Sequence, residues 1–122
     1  MSHGVRIELH FVENAKHGNA RVENWLFDAA RWVGISGGVI YQAFAGFGRH
    51  GELRDGGIFD LDGRQPMMAS FITSPLLAQK FLDYLEKEGL ELFYTRSAVE
   101  FGVVGDHHIR PLEPADKDSK PG

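Results

Sequence analysis

Residues 46 to 51 read Gly-Phe-Gly-Arg-His-Gly, a G-x-G-x-x-G spacing of the kind that can cradle phosphate. Glycines there let backbone amides approach an anion, and Arg49, His50 and Arg54 stand among them. A dinucleotide-binding turn also needs a helix opening at its last glycine, because that helix N-terminus receives the pyrophosphate. After Gly51 the chain reads ELRDGG, and two glycines would break such a helix before its second turn. A kinase-type loop is excluded by chain length and by the lack of its companion motifs. What remains is a glycine-hinged connection between two strands, with Gly46, Gly48 and Gly51 at its start and Gly56 and Gly57 at its far end. Spacing alone leaves two uses open. One is a mobile loop that binds an anionic metabolite or touches a partner; the other, commoner, is a long hairpin loop with solvated charges.

The other groups capable of chemistry are scattered. The chain has 6 histidines and no HExxH or HxH pattern; His107 and His108 are adjacent, and His3, His17 and His50 lie in polar segments. Asp60 and Asp62 flank Leu61 as a carboxylate pair, but beside Arg64 a turn or salt bridge is the simpler use. Glu8 and Glu100 suit ordinary solvent-facing strand positions. Ser36, Ser70, Ser74 and Ser97 sit near no nucleophile motif. With 0 cysteines, disulfides, thiolate metal sites and a cysteine nucleophile are excluded.

The elements that position these residues follow from periodicity. VRIELHFV alternates, with Val5, Ile7, Leu9 and Phe11 on one face and Arg6, Glu8 and His10 on the other, which predicts a half-buried strand. ENAKHGN predicts a polar loop with Asn19 as N-cap. From Ala20 the period changes: Val22, Trp25, Leu26, Ala29, Ala30 and Val33 recur at helical steps, and Gly34 is placed to end the helix. Trp25 and Trp32, seven apart, fall on one flank, for core packing or for partner contact. GGVIYQAFAG predicts a second strand; IFDL is a short strand, DGRQ a turn or bulge, and PMMASFIT continues that third strand, with Pro66 marking an edge or interruption. Ser74 as N-cap and Pro75 at the first position open a helix with Leu77, Phe81, Tyr84 and Leu85 as its stripe, stopped by Gly89. LELFYTRSAVEFGVV returns to strand.

Strand, helix, strand, strand, helix, strand is the order of an α+β, ferredoxin-like βαββαβ sandwich. It occupies residues 1–104, and the polar tail 105–122 is expected to be disordered. A chain of 122 residues buries roughly two-thirds of its unfolded surface, enough for one domain without staples. Two helices cover one sheet face only. Ile40 and Phe44 against Val39 and Tyr41, and Leu92 and Tyr94 against Phe93, make the strands apolar on both parities, so self-association through the open face is expected. Net charge of -4 removes the electrostatic reason to expect nonspecific nucleic-acid binding. With no signal-like or membrane-spanning apolar run, a cytoplasmic location is expected.

The stretch AGFGRHGELRDGGIFDLDGRQPMMASFITSPLLAQKFL resembles the PII-like proteins of an uncharacterised family often encoded near fluoride-channel-type membrane proteins. That family carries a G-F-G turn, a glycine and charged loop, an isoleucine-led strand, a proline opening the next strand and a helix with a Phe-Leu pair. Here these are Gly46, Phe47, Gly48, Gly51, Ile58, Leu61, Pro66, Phe81 and Leu82, and the resemblance covers residues 5 to 104. It implies a PII/GlnB-like homotrimer with a regulatory rather than catalytic role. It further implies a ligand cleft between subunits near Gln42, Gly46, Gly48, Arg49, His50 and Arg54. The ligand would be an adenine nucleotide or a small anion, and segment 45–57 would be an effector arm acting on a membrane transporter or channel. The chain departs from PII proteins in three places. The glycine and lysine phosphate loop after the second helix is replaced by EKEGLEL, with only Lys87 and Gly89; Ala43 stands where glycine is more usual; and the arm has no tyrosine to modify. The alternatives on the same scaffold are a small isomerase or monooxygenase-type enzyme using His10, Tyr41 or Glu100, and a divalent-metal tolerance protein.

Overall fold

The computed structural model describes residues 2–46 and 64–105 of the chain. The expected strand at 58–61, the Asp60/Asp62 pair and the tail beyond 105 lie outside the described residues.

The alternating first segment is β1 (Ser2–Val12), in which Ile7, Leu9 and Phe11 are buried and Arg6 is exposed. The polar stretch after it is not a plain loop. Lys16–His17 (β2) and Ala20–Arg21 (β3) pair as a small antiparallel hairpin, Lys16 opposite Arg21 and His17 opposite Ala20. Gly18 takes φ 65 at the first of the two central positions, as a tight hairpin turn demands. This hairpin claims Ala20 and Arg21, so the helix α1 starts later than expected, at Val22, and runs to Val33. Asn19 is therefore a turn residue and not a cap; the N-cap is Arg21, whose side chain makes no capping bond.

The other punctuation is as the residue types predict. Gly34 closes α1 at φ 114, its N–H donating to the Ala30 and Arg31 carbonyls. β4 (Gly38–Gln42) and β5 (Pro66–Thr73) follow, and Ser74 Oγ accepts from Leu77 N at 3.2 Å to open α2 (Pro75–Lys87). Ser74→Ala removes that acceptor and is expected to cost about 1 kcal/mol, read as a shift in the urea midpoint at unchanged slope. β6 (Phe93–Phe101) completes the domain.

The four long strands form one antiparallel sheet in the order β4-β5-β1-β6, the ferredoxin-like arrangement. Pro66 opens β5, an interior strand, and so breaks no ladder bond as a first residue. Register aligns Ile7 with Phe71 and Leu9 with Ala69, so their side chains meet α1 and α2 on one face. Phe71 lies edge-on to Phe81 and to Phe27, with centroids 5.1 and 6.1 Å apart. Gly38 crosses the same ring so closely that a Cβ there would lie 2.3 Å from a Phe71 ring carbon. Gly38→Ala must push that boxed ring aside, at an expected cost of about 1–3 kcal/mol, measurable by thermal or urea unfolding.

Candidate functional site

The end of the sheet where β1 and β4 finish and β5 begins gathers the base of the glycine-rich segment. Ala43 N donates to the Pro66 carbonyl at 2.8 Å, and Glu13 N donates to the Gln65 carbonyl at 2.9 Å. The two legs of the segment are thus tied together, and the turn that leads from β1 toward the β2–β3 hairpin is tied to the same strand lead-in. The hairpin is also held from the helix side: the His17 ring meets Trp25 at 4.7 Å, and Trp25 stacks on Tyr84 of α2 at 6.0 Å. Trp25 is accordingly half-buried, whereas Trp32 is 77% exposed, so the two tryptophans do not share one environment.

Gln42 and Gly46 are the expected site residues that can be placed; both are exposed at this end. Gly46 does not take a positive φ, and a Cβ on it would make only ordinary contact with Pro66, 3.5 Å away. Crowding at this end therefore does not demand a glycine there. Gly48, Arg49, His50 and Arg54 lie outside the described residues. Phe44, beside Gln42, is 98% exposed.

The connection from α2 to β6 reaches the same end. Its amides are already committed: Glu88 N, Gly89 N and Leu90 N donate to the Tyr84, Glu86 and Leu85 carbonyls. Gly89 sits at φ 80, so its glycine serves to close the helix. These three N–H groups are spent on α2 and do not form a phosphate nest.

A feature that periodicity does not reveal lies at the start of β4. Ser36, Gly37 and Gly38 border a cavity of about 190 Å³ whose walls are Phe27, Phe71 and Arg31. The Arg31 guanidinium lies 5.9 Å over the Phe27 ring and 3.2 Å from Asp28 Oδ1. An aromatic wall, a guanidinium and a side-chain-free backbone edge suit a flat polar group. The signal available in the sequence was the run Ser-Gly-Gly directly after a helix-ending segment.

On the open sheet face β1 presents Arg6, Glu8 and His10, with Arg6 Nε 3.6 Å from Glu8 Oε2. Apolar side chains flank that polar stripe: Val39, Tyr41 and Ile72 on the β4–β5 side, Phe93 and Phe101 on β6. The expectation of a sheet apolar on both faces therefore holds at its margins and not along its centre. Desolvation by burial lowers the His10 pKa below its ordinary 6.5, and the nearby Glu8 opposes this. The folded state then binds fewer protons than the unfolded one, so stability falls as the pH drops through 6.5 toward the lower folded value. His10→Gln is expected to flatten the change in Tm between about pH 7.5 and 5.5, a window set by ordinary histidine titration.

His10 and Tyr41 share this face on either side of Met68, whereas Glu100 lies seven residues along β6 from Phe93, the residue opposite His10. The three do not converge on one pocket. Glu100 pairs instead with His3, at 3.9 Å. Among the described residues no three His, Asp or Glu side chains gather as metal ligands, and no helix is long and apolar enough to cross a membrane.

Sheet order, a single helix layer and a long β4–β5 connection define a PII-like member of the ferredoxin-like folds, and solved structures share it. CPII from Thiomonas intermedia bound to ADP, AMP and acetate matches with a TM-score of 0.60 at 14% identity, covering 83% of this chain and 90% of that one. CPII bound to ADP and bicarbonate matches at 0.58 and 15%, covering 84% and 92%. A candidate PII-like signaling protein from Thermus thermophilus matches at 0.53 and 16%, covering 80% and 87%. Among curated proteins, none matches. Residues 4–101 match the DUF190 family, described as uncharacterized ACR, and the chain belongs to that family.

Proposed function

We propose that this protein is a cytoplasmic PII-type regulator, not an enzyme. Three copies assemble through the open sheet face. An adenine nucleotide or small anion binds in the clefts between them, and the 45–57 arm carries the bound state to a membrane transporter or channel. The observation that carries this reading is the pair of apolar margins on the open face, Val39, Tyr41 and Ile72 on one side and Phe93 and Phe101 on the other. Neighbouring copies would bury both margins and bring the loop base at Gln42 and Gly46 against another subunit.

The CPII structures with ADP, AMP, acetate and bicarbonate support the choice of ligand class. The committed amides of residues 88–90 make the effector segment the better anion donor, through its glycine amides at Gly46 and Gly48 and the charges of Arg49, His50 and Arg54. Ordering of such a segment by a ligand is an established way to report ligand state.

Light scattering should give three times 13.6 kDa. Calorimetry with ADP, AMP and bicarbonate should show binding that Arg49→Ala with Arg54→Ala weakens by about tenfold or more, the loss of charge-assisted hydrogen bonds. A monomer that binds none of the three overturns the reading.

A further inference from the structure

We infer, resting on the assembly proposed above, that His10 makes that assembly proton-linked: copies join through the open sheet face with His10 neutral, and acid returns them to folded single subunits. Register places His10 in one row that crosses all four long strands. Met68 of β5 lies opposite it on one side and Phe93 of β6 on the other, and Tyr41 of β4 stands across from Met68. The row sets one imidazole among two aromatic rings and a thioether. The His10 and Phe93 rings are 5.6 Å apart and tilted by 52°. Tyr41 and Phe93 belong to the two apolar margins of the face, and His10, half-buried, lies between them. A copy that covers both margins must cross this row and take water away from the imidazole.

Loss of water favours the neutral ring unless an opposite charge compensates. Among the described residues the row offers little compensation. On β1 the charged neighbours of His10 on this face are Glu8 and, beyond it, Arg6, and those two face each other at 3.6 Å. β5 contributes Met68 and Ser70, β6 Phe93 and Thr95, and β4 Val39 and Tyr41, of which only the Tyr41 phenol is titratable. Already in the single subunit burial outweighs Glu8 and holds the His10 pKa below its ordinary 6.5. Covering the face adds to the burial and brings in no new carboxylate from this chain's own strands.

Assembly therefore lowers the His10 pKa further than folding does, and the assembled state binds fewer protons than the free subunits. Association is at full strength above pH 6.5 and weakens as the pH falls through the lower value of the free subunit. Each copy brings one such group. In a trimer the association constant then falls by up to about a thousandfold per pH unit below that value. Gln42 directly follows Tyr41 in β4, so acid takes the loop base out of the assembly together with His10.

The test uses the full chain at about pH 7.5 and about pH 5, on either side of ordinary histidine titration. Sedimentation equilibrium gives the association constant, and circular dichroism follows the fold. The constant should be at least tenfold lower at the acid pH, with native circular dichroism. Where the assembly is too tight to dilute apart, isotope-labelled and unlabelled subunits should exchange at least tenfold faster there. His10→Gln and His10→Leu, neither of which titrates, should each assemble with constants and exchange rates equal at the two pH values within about twofold. His3→Gln and His17→Gln should keep the full dependence. A dependence that survives both His10 variants, or equal constants and equal exchange rates in the unmodified chain, overturns the inference and leaves the trimer standing. Unfolding in place of dissociation overturns it too, as does failure of both His10 variants to assemble, which would give the imidazole a bonding role in place of a titrating one. A monomer at every concentration at the higher pH removes the assembly itself, and this inference with it.

Discussion

Tyr41→Asp is expected to turn the assembled protein into folded monomers. Tyr41 is 52% exposed on the open face of β4, an edge strand, beside Val39 and across from Met68. In an isolated subunit the new carboxylate stays in water, and the core packed around Phe71 is untouched, so secondary structure and thermal cooperativity should persist. In an assembly that buries this margin, the carboxylate is stranded in an apolar contact without a cation. Leaving a buried charge unpaired costs about 3–5 kcal/mol, which is at least a hundredfold in association. Light scattering at micromolar concentration should read the monomer mass of 13.6 kDa with native circular dichroism. Retention of the assembled mass would mean that this face is not the interface, and the proposed intersubunit ligand cleft would lose its basis.

Phe71→Ala should have the largest effect on the subunit itself. Phe71 is 1% exposed, and its ring holds three elements in place: Phe27 of α1, Phe81 of α2 and the glycine backbone of β4 at Gly38. Removing it opens a cavity that no single neighbour can fill, because Phe27 and Phe81 meet it edge-on from different helices. The expected loss is about 3–5 kcal/mol. Against a typical total of about 5–15 kcal/mol, this leaves a marginal fold. Urea unfolding should show the loss as a lower midpoint. A loss below about 1 kcal/mol would mean that the core relaxes around the site, and the role given to Gly38 would fail with it. The same variant widens the Ser36–Gly38 cavity, so ligand affinity and stability can be compared in one protein.

The geometry of the candidate site was only partly legible from residue order. Gln42 and Gly46 do stand at the loop base, because a strand with clear apolar content must end where glycines and charges begin. The fate of the EKEGLEL amides could not be read that way. Whether an N–H bonds to a helix carbonyl or to a ligand depends on how the helix terminates, and that is settled by the φ of Gly89. The Ser36–Gly38 cavity was hidden for a similar reason: its aromatic walls come from Phe27 and Phe71, 44 positions apart.

Local chemistry by itself determined the strands at 5–12 and 66–73, the helix opened by Ser74 and Pro75, the stops at Gly34 and Gly89, and through their order the ferredoxin-like arrangement. Each of these rests on periodicity or on backbone preference within a few residues. Tertiary structure alone decided that Asn19 turns a hairpin instead of capping α1, and that Trp25 stacks on Tyr84 while Trp32 faces solvent. It also decided that the open face is apolar at its margins and polar along β1. Those outcomes depend on which distant surface reaches a residue first, and burial is a property of pairs of elements that neither element's sequence contains.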